Sequence, residues 1–251
     1  MRRVGGGPGD TGAMAFPSSG GVAVKICGLR RRSDALAADE AGADYVGAVV
    51  SSGFGRSISP EAAARIFEGV GAVRVAVLVD EDPAEAARKA EVMSAGVIQL
   101  HGHEPTEVVE EIRRRGSWRI WKAVRVGGGG PSRALEEAKG TVARYAPVVD
   151  GILLEGYREG VTGGGGVGVD PGHAMEIRAW MPDHCILILA GGLTPDSVAG
   201  AVARVRPEVV DVSSGVEAEL GKKDHGLIRA FLREAKKGAE PHRRLPEIEG
   251  D

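Results

Sequence analysis

Residues 73–100 read VRVAVLVDEDPAEAARKAEVMSAGVIQL, and their reading decides the fold. The stretch opens on a near-continuous apolar run, Val73–Val79, and closes on another, Val97–Leu100. Between them Asp82-Pro83 marks a helix start, with Pro at the first helical position. Apolar runs that do not alternate with polar residues are strands covered on both faces, as in parallel sheets. The stretch is therefore one strand–helix–strand unit.

The same unit recurs on either side. Further runs lie at Val22–Ile26, Asp44–Val50, Arg119–Val124, Gly151–Leu154, Ile186–Leu189 and Val209–Val212. Ser59-Pro60, Glu104-Pro105, Asp170-Pro171 and Thr194-Pro195 repeat the helix start. Ser33 reads as the N-cap of a helix over Asp34–Ala41, with Gly42 as its stop, and a last helix runs from Asp224 to Lys236. Eight such units predict an α/β fold, a single (β/α)8 TIM barrel over residues 22–237. A doubly wound sheet is the runner-up. Residues 1–21, rich in Gly, Pro and Ser, read as a disordered leader in which Met14 is an alternative start. Residues 238–251 read as a flexible tail.

Length and composition agree. A chain of 251 residues suits one such barrel and can bury a core without staples. A net charge of −3 argues against a nucleic-acid partner. Two cysteines exclude a disulfide scaffold and a CxxC metal site, and no apolar run has the length of a membrane span. A reducing, cytoplasmic setting is expected, and outer helix faces without a long apolar stripe make a monomer the default.

A barrel of this kind places its chemistry at the C-terminal ends of its strands. In chain order those ends carry Cys27-Gly28, a loop with Arg56, Asp80, His101, Arg125, Glu155, Gly191-Gly192, and Asp211 followed by Ser213-Ser214-Gly215. Gly/Ser turns after the last two strands suit a phosphate, held by backbone N–H groups. A thiol and a carboxylate on one mouth suit proton removal and proton donation. Taken singly, each residue has a plainer reading. Cys27 could be a small buried hydrophobe, His101 a satisfied polar group and Arg56 a solvated loop charge. Asp34 and Glu217 read as caps or local pairs. Cys185 lies at the opposite rim and reads as structural.

The motifs VKICGL (24–29), GRSISPEAA (55–63), VIQLHGHE (97–104), KAVRV (122–126), LAGGLTPDSV (189–198) and VDVSSGVE (210–217) closely resemble phosphoribosylanthranilate isomerase. The likeness spans about residues 22–237. It implies a cofactor-free Amadori rearrangement in tryptophan biosynthesis. N-(5-phosphoribosyl)anthranilate becomes 1-(2-carboxyphenylamino)-1-deoxyribulose 5-phosphate, so the partner is a small phosphosugar. By resemblance, Cys27 is the general base at C2 of the ribose and Glu155 the general acid at the ring oxygen. Arg56 binds the anthranilate carboxylate, Asp211 contacts substrate and His101 lines the mouth. Gly191, Gly192, Ser214 and Gly215 hold the phosphate, and no metal is implied. The acid is expected to have a raised pKa.

Three positions depart from the family pattern. Glu155 stands where the family has Asp, residues 163–166 are all Gly where it has Gly-Gly-Thr-Gly, and Arg30 replaces a Thr and is expected to add charge near the mouth. These departures keep two alternatives open, an aminoaldose-phosphate isomerase of shifted specificity and a non-catalytic phosphosugar-binding barrel.

Overall fold

The computed structural model describes residues 21–127, 131–157 and 168–239. Eight parallel strands close into a barrel in chain order. They are β1 (Ala23–Ile26), β2 (Tyr45–Val49), β3 (Val73–Leu78), β4 (Val97–Leu100), β5 (Arg119–Val126), β6 (Gly151–Gly156), β7 (Ile186–Leu189) and β8 (Val209–Val212). Helices α1 (Arg32–Glu40), α2 (Pro60–Ile66), α3 (Pro83–Val92), α4 (Thr106–Arg115), α5 (Pro131–Tyr145), α6 (Pro171–Arg178), α7 (Pro195–Val205) and α8 (His225–Ala239) follow the strands. After β8 a short 3-10 turn, Ser214–Val216, leads into a hairpin of β9 (Glu217–Glu219) and β10 (Lys222–Lys223), which sequence reasoning did not anticipate. Among the described residues no helix is long and apolar enough to cross a membrane.

The leader up to residue 20 and the Gly run at 163–166 lie outside the described residues. So does the tail beyond Ala239, although its expected first residues, Gly238 and Ala239, belong to α8.

Side chains on the two faces of each strand build two cores. Outward residues such as Val24, Ile98 and Leu187 pack under the helices. Inward residues fill the barrel: Ala23, Tyr45, Val75, Val97, Trp121, Leu153, Ile188 and Val209 form one cluster, with Tyr45 edge-on to Trp121 at 5.0 Å between ring centroids. Trp121 fits because its neighbour on β6 is Gly151. A Cβ there would lie 2.9 Å from Trp121 Cδ1 and 2.7 Å from Ile188 Cδ1.

The Pro-based starts of α2, α3, α6 and α7 hold. Ser59, Asp82 and Asp170 accept hydrogen bonds from first-turn amides, and Thr194 forms a capping box with Ser197. Two expectations are corrected. The N-cap of α1 is Arg31, not Ser33, and the helix ends at Glu40; Gly42, at φ +87°, does terminate it. Before α4 the cap is Pro105 itself, because Glu104 turns inward. Its Oε1 accepts from the amides of Asp80 and Gly102, both at 3.0 Å, and Oε2 from Lys122 Nζ at 2.9 Å. That buried ion pair ties the loops after β3 and β4 to β5 and frames His101.

Gly151→Ala is expected to lower stability by about 1–3 kcal/mol through overpacking. Urea denaturation checks it, and an unchanged midpoint would show that the interior yields more easily than its contacts imply.

Candidate active site

The mouth is built where β1, β4, β5, β6 and β8 end, with loops from β2 and β7 closing over it. Cys27 follows β1 and is 8% exposed. Burial pushes its thiol up, Lys25 pulls it down by charge and hydrogen bonding, Asp211 pushes it up, and Lys223 pulls it down. The other cysteine, Cys185, is also a free, buried thiol, pushed up to about 12 mainly by burial, and it precedes β7 at the far rim.

Glu155 sits on β6, which is longer than its apolar run implies, as is β5. Arg125 and Glu155 are therefore register partners. Glu155 Oε1 is 3.0 Å from His101 Nε2 and accepts from Arg125 Nε at 3.4 Å. The Gln99 amide nitrogen is 3.0 Å from His101 Nδ1. With that nitrogen donating, Nδ1 accepts, and the ring proton resides on Nε2, facing Glu155. Gln99 Oε1 and the neighbouring Trp121 Nε1 are buried without a hydrogen-bond partner among the described residues. The expected raised pKa is corrected here. Burial pushes the Glu155 carboxyl up, but His101 and Arg125 outweigh it and hold it below the usual range.

Arg56, in the loop after β2, donates from Nε and Nη2 to both oxygens of Glu217, at 2.7 and 2.6 Å. Glu217 also accepts from Lys223 Nζ at 3.0 Å and the Gly221 amide at 3.3 Å. It thus pairs locally, as its place in the sequence suggests, and in addition reaches Arg56, 161 residues away, which the sequence did not indicate. Burial pushes its carboxyl up, and Arg56 and Lys223 outweigh that to leave it lowered. Gly28, at φ +70°, lets Arg56 lie across the turn, since a Cβ there would meet Arg56 Cδ at 2.7 Å. Asp34 is no local cap. It is buried and receives the Lys223 amide at 3.1 Å, and its Oδ1 lies 2.9 Å from His225 Nε2. Arg30 is engaged beside the mouth. It donates to the Gly55 carbonyl at 3.2 Å and packs over Gly221, bridging the β2 loop to the hairpin.

The turns after β7 and β8 meet. Gly191 and Gly192 have φ of +81° and +61°, and Gly215 lies so close to the Leu193 carbonyl that no side chain fits. Such consecutive turns suit an anion nest. Asp211, at the top of β8, is taken by Lys25 at 3.0 Å. Sequence reasoning missed Lys25, Gln99, Glu217 and Lys223. For Lys25 a signal existed: it lies two residues before Cys27 on one strand and so faces the same side.

Residues 24–234 match the family model described as N-(5'phosphoribosyl)anthranilate (PRA) isomerase. A protein named N-(5'-phosphoribosyl)anthranilate isomerase from Geobacter sp. (strain M21) is 40% identical over 216 residues, covering 85% of this chain and 98% of the relative. The crystal structure of phosphoribosyl anthranilate isomerase from Thermotoga maritima is similar at a TM-score of 0.74 and 39% identity, covering 86% of this chain and 98% of that one. A further structure of the same enzyme type is described as a complex with reduced 1-(o-carboxyphenylamino)-1-deoxyribulose 5-phosphate. It matches at a TM-score of 0.72 and 38% identity, over 86% of this chain and 98% of that one.

Glu217→Ala leaves the fully buried Lys223 ammonium without its carboxylate and is expected to cost about 3–5 kcal/mol at neutral pH. The folded carboxyl has a lowered pKa, so the wild type's advantage is full above the unfolded Glu value and fades as pH falls through the folded one. Urea titrations of both proteins across that range check the sign; an advantage that grows toward acid would refute the pairing.

Proposed function

The chain belongs to the phosphoribosylanthranilate isomerase family, and from that premise we propose how its mouth divides the work. The reaction is the isomerisation of N-(5'-phosphoribosyl)anthranilate, a step of tryptophan biosynthesis. The observation that carries the proposal is the placement of a buried thiol, Cys27, and a His-bonded carboxyl, Glu155, on the strand ends of one closed barrel.

Protonated Glu155 donates its proton to the furanose ring oxygen. The bond from that oxygen to C1 breaks as the anthranilate nitrogen lone pair forms C1=N. The Cys27 thiolate then removes the C2 proton, and the C–H electron pair forms C1=C2 while the nitrogen regains its lone pair. The resulting enol loses its O2 proton and gains one at C1, giving the ketone. Neither step needs a redox partner, since the aldose carbon is reduced as C2 is oxidised.

Arg56 takes the anthranilate carboxylate. Glu217 occupies Nε and Nη2 and fixes the plane of the guanidinium, and Nη1 is the donor assigned to substrate. The phosphate is assigned to the amides of Gly191, Gly192, Ser214 and Gly215. His101 positions Glu155 by donating its ring Nε2–H to the carboxylate.

Turnover of freshly made N-(5'-phosphoribosyl)anthranilate, followed by its fluorescence, tests the roles. Cys27→Ala and Glu155→Gln are each expected to lower kcat by about 10²–10⁴-fold. Glu155→Asp, which draws the carboxyl back from His101 by about one bond, is expected to fall by up to about 100-fold. A Cys27→Ala enzyme with undiminished turnover would remove the thiol from the mechanism.

The pH profile follows from the two shifts. Activity needs Glu155 protonated and Cys27 ionised, yet the first is lowered and the second raised. Between the two values the productive fraction is small and constant. It falls below the Glu155 value because the thiolate is lost, and above the Cys27 value because the proton on Glu155 is lost. A flat kcat/KM across the neutral range, with both limbs outside the ordinary Glu and Cys values, is expected. A narrow bell near neutrality would assign the limbs to other groups.

A further inference from the structure

Lys25 is the one lysine on the inward face of β1, and its side chain is fully buried. It stands in register with Asp211 on β8 and reaches Oδ1 at 3.0 Å. Two residues later on the same face comes Cys27. On the other flank β2 presents Gly47, where a Cβ would lie 3.1 Å from Lys25 Cε, 3.4 Å from Lys25 Nζ and 3.2 Å from Cys27 Sγ. One missing methyl group thus leaves space in which both the ammonium and the sulfur sit. The inward cluster around the pair is mostly apolar, with Val75, Val97, Leu153 and Ile188, and Gln99 is a further buried polar side chain on β4. An apolar pair in place of Lys25 and Asp211 would serve packing as well or better.

We propose that Lys25 is a positioning residue for Cys27: its ammonium, anchored by Asp211, is the counter-ion of the thiolate that removes the substrate's C2 proton. This rests on the reading of Cys27 as the base. Lys25 stays charged where burial alone would neutralise it, because Asp211 and Cys27 outweigh burial. The other groups around the thiol are Lys223 from β10, Arg56 from the β2 loop, which feels the thiolate's charge, and Tyr45 on β2, which is neutral. Of these cations only Lys25 is held on the base's own strand, so it is the one whose place follows Cys27 through any movement of the loops.

The test is the rate of iodoacetamide alkylation of the free enzyme against pH, with the Cys27 adduct read by peptide mass spectrometry so that Cys185 does not contribute. Lys25→Met is expected to move the Cys27 titration up by one unit or more. It should lower kcat at neutral pH at least tenfold, with the deficit relative to the wild type closing toward alkaline pH and KM within about threefold. Asp211→Asn, which removes a negative neighbour and frees the ammonium, is expected to move the titration down. Gly47→Ala keeps every charge but crowds the pair apart, and is expected to move it up. It carries the test if Lys25→Met, which strands a buried carboxylate, does not fold. Superimposed wild-type and variant titrations would overturn the proposal, as would Lys25→Met and Asp211→Asn moving the same way, the mark of general loosening. Full turnover by Cys27→Ala would instead overturn the assignment of the base, while the alkylation series would still report the Lys25–Cys27 coupling.

Discussion

The inside of a closed eight-stranded barrel excludes water, so every inward-pointing charge must be matched by another group pointing into the same space. This constraint orders the whole mouth. Lys25 is matched by Asp211 across the β1–β8 seam, and Glu155 is matched by His101 and Arg125 across the β4–β5–β6 wall. Lys223 enters from the hairpin and is matched by Glu217, which also grips Arg56. Two of these contacts, Lys25–Asp211 and Arg56–Glu217, join elements 186 and 161 residues apart, whereas Lys223–Glu217 is internal to the hairpin. The positions of the reacting groups are therefore set by charge balance on rigid strand ends, with the loops added to that frame.

What was legible in the sequence follows from what repeats. The strand runs recur eight times and the Pro-marked helix starts five, so errors in any one of them do not change the fold. The residues that end each strand were legible for the same reason. Single, unrepeated choices were not. Glu104 carries the same Pro signal as its counterparts but answers a buried lysine on β5, and nothing local announces that demand. The hairpin after β8 is too short and too charged to register as strand. The long-range contacts of Glu217 with Arg56, and of Asp34 with Lys223 and His225, were not legible because those partners lie between 161 and 191 residues away. Lys25 was legible in principle, since period-two alternation puts it beside Cys27, but a lysine in an apolar run is easily passed over as an edge residue.

Glu155 illustrates how a longer side chain changes more than reach. Its oxygen lies within hydrogen-bonding distance of His101, which follows β4, and of Arg125 on β5. Both partners favour the ionised form, so the contacts that hold the carboxyl in place are also those that keep it deprotonated. Positioning and proton affinity pull in opposite directions here, and the residue expected to be a ready acid is a well-placed conjugate base in the free enzyme.

With the proposed roles of Glu155 as acid and Cys27 as base, the same opposition sets the energetics of the reaction. At ordinary values of about 4.3 for Glu and 8.5 for Cys, the fraction of enzyme with the acid protonated and the base ionised is on the order of 10⁻⁴. Both shifts reduce it further, so the free enzyme begins at least about 6 kcal/mol from its productive protonation state. Substrate binding can recover part of this. Closing the mouth over the sugar removes water from Glu155 and raises its proton affinity, and the ammonium of Lys25 gains strength as the dielectric falls. A thiol lowered far enough to ionise at rest would be open to oxidation and alkylation between turnovers. A buried thiol whose titration is pushed up stays protonated at rest, and with the proposed role of Cys27 this suits a base that must act on carbon and stay inert otherwise.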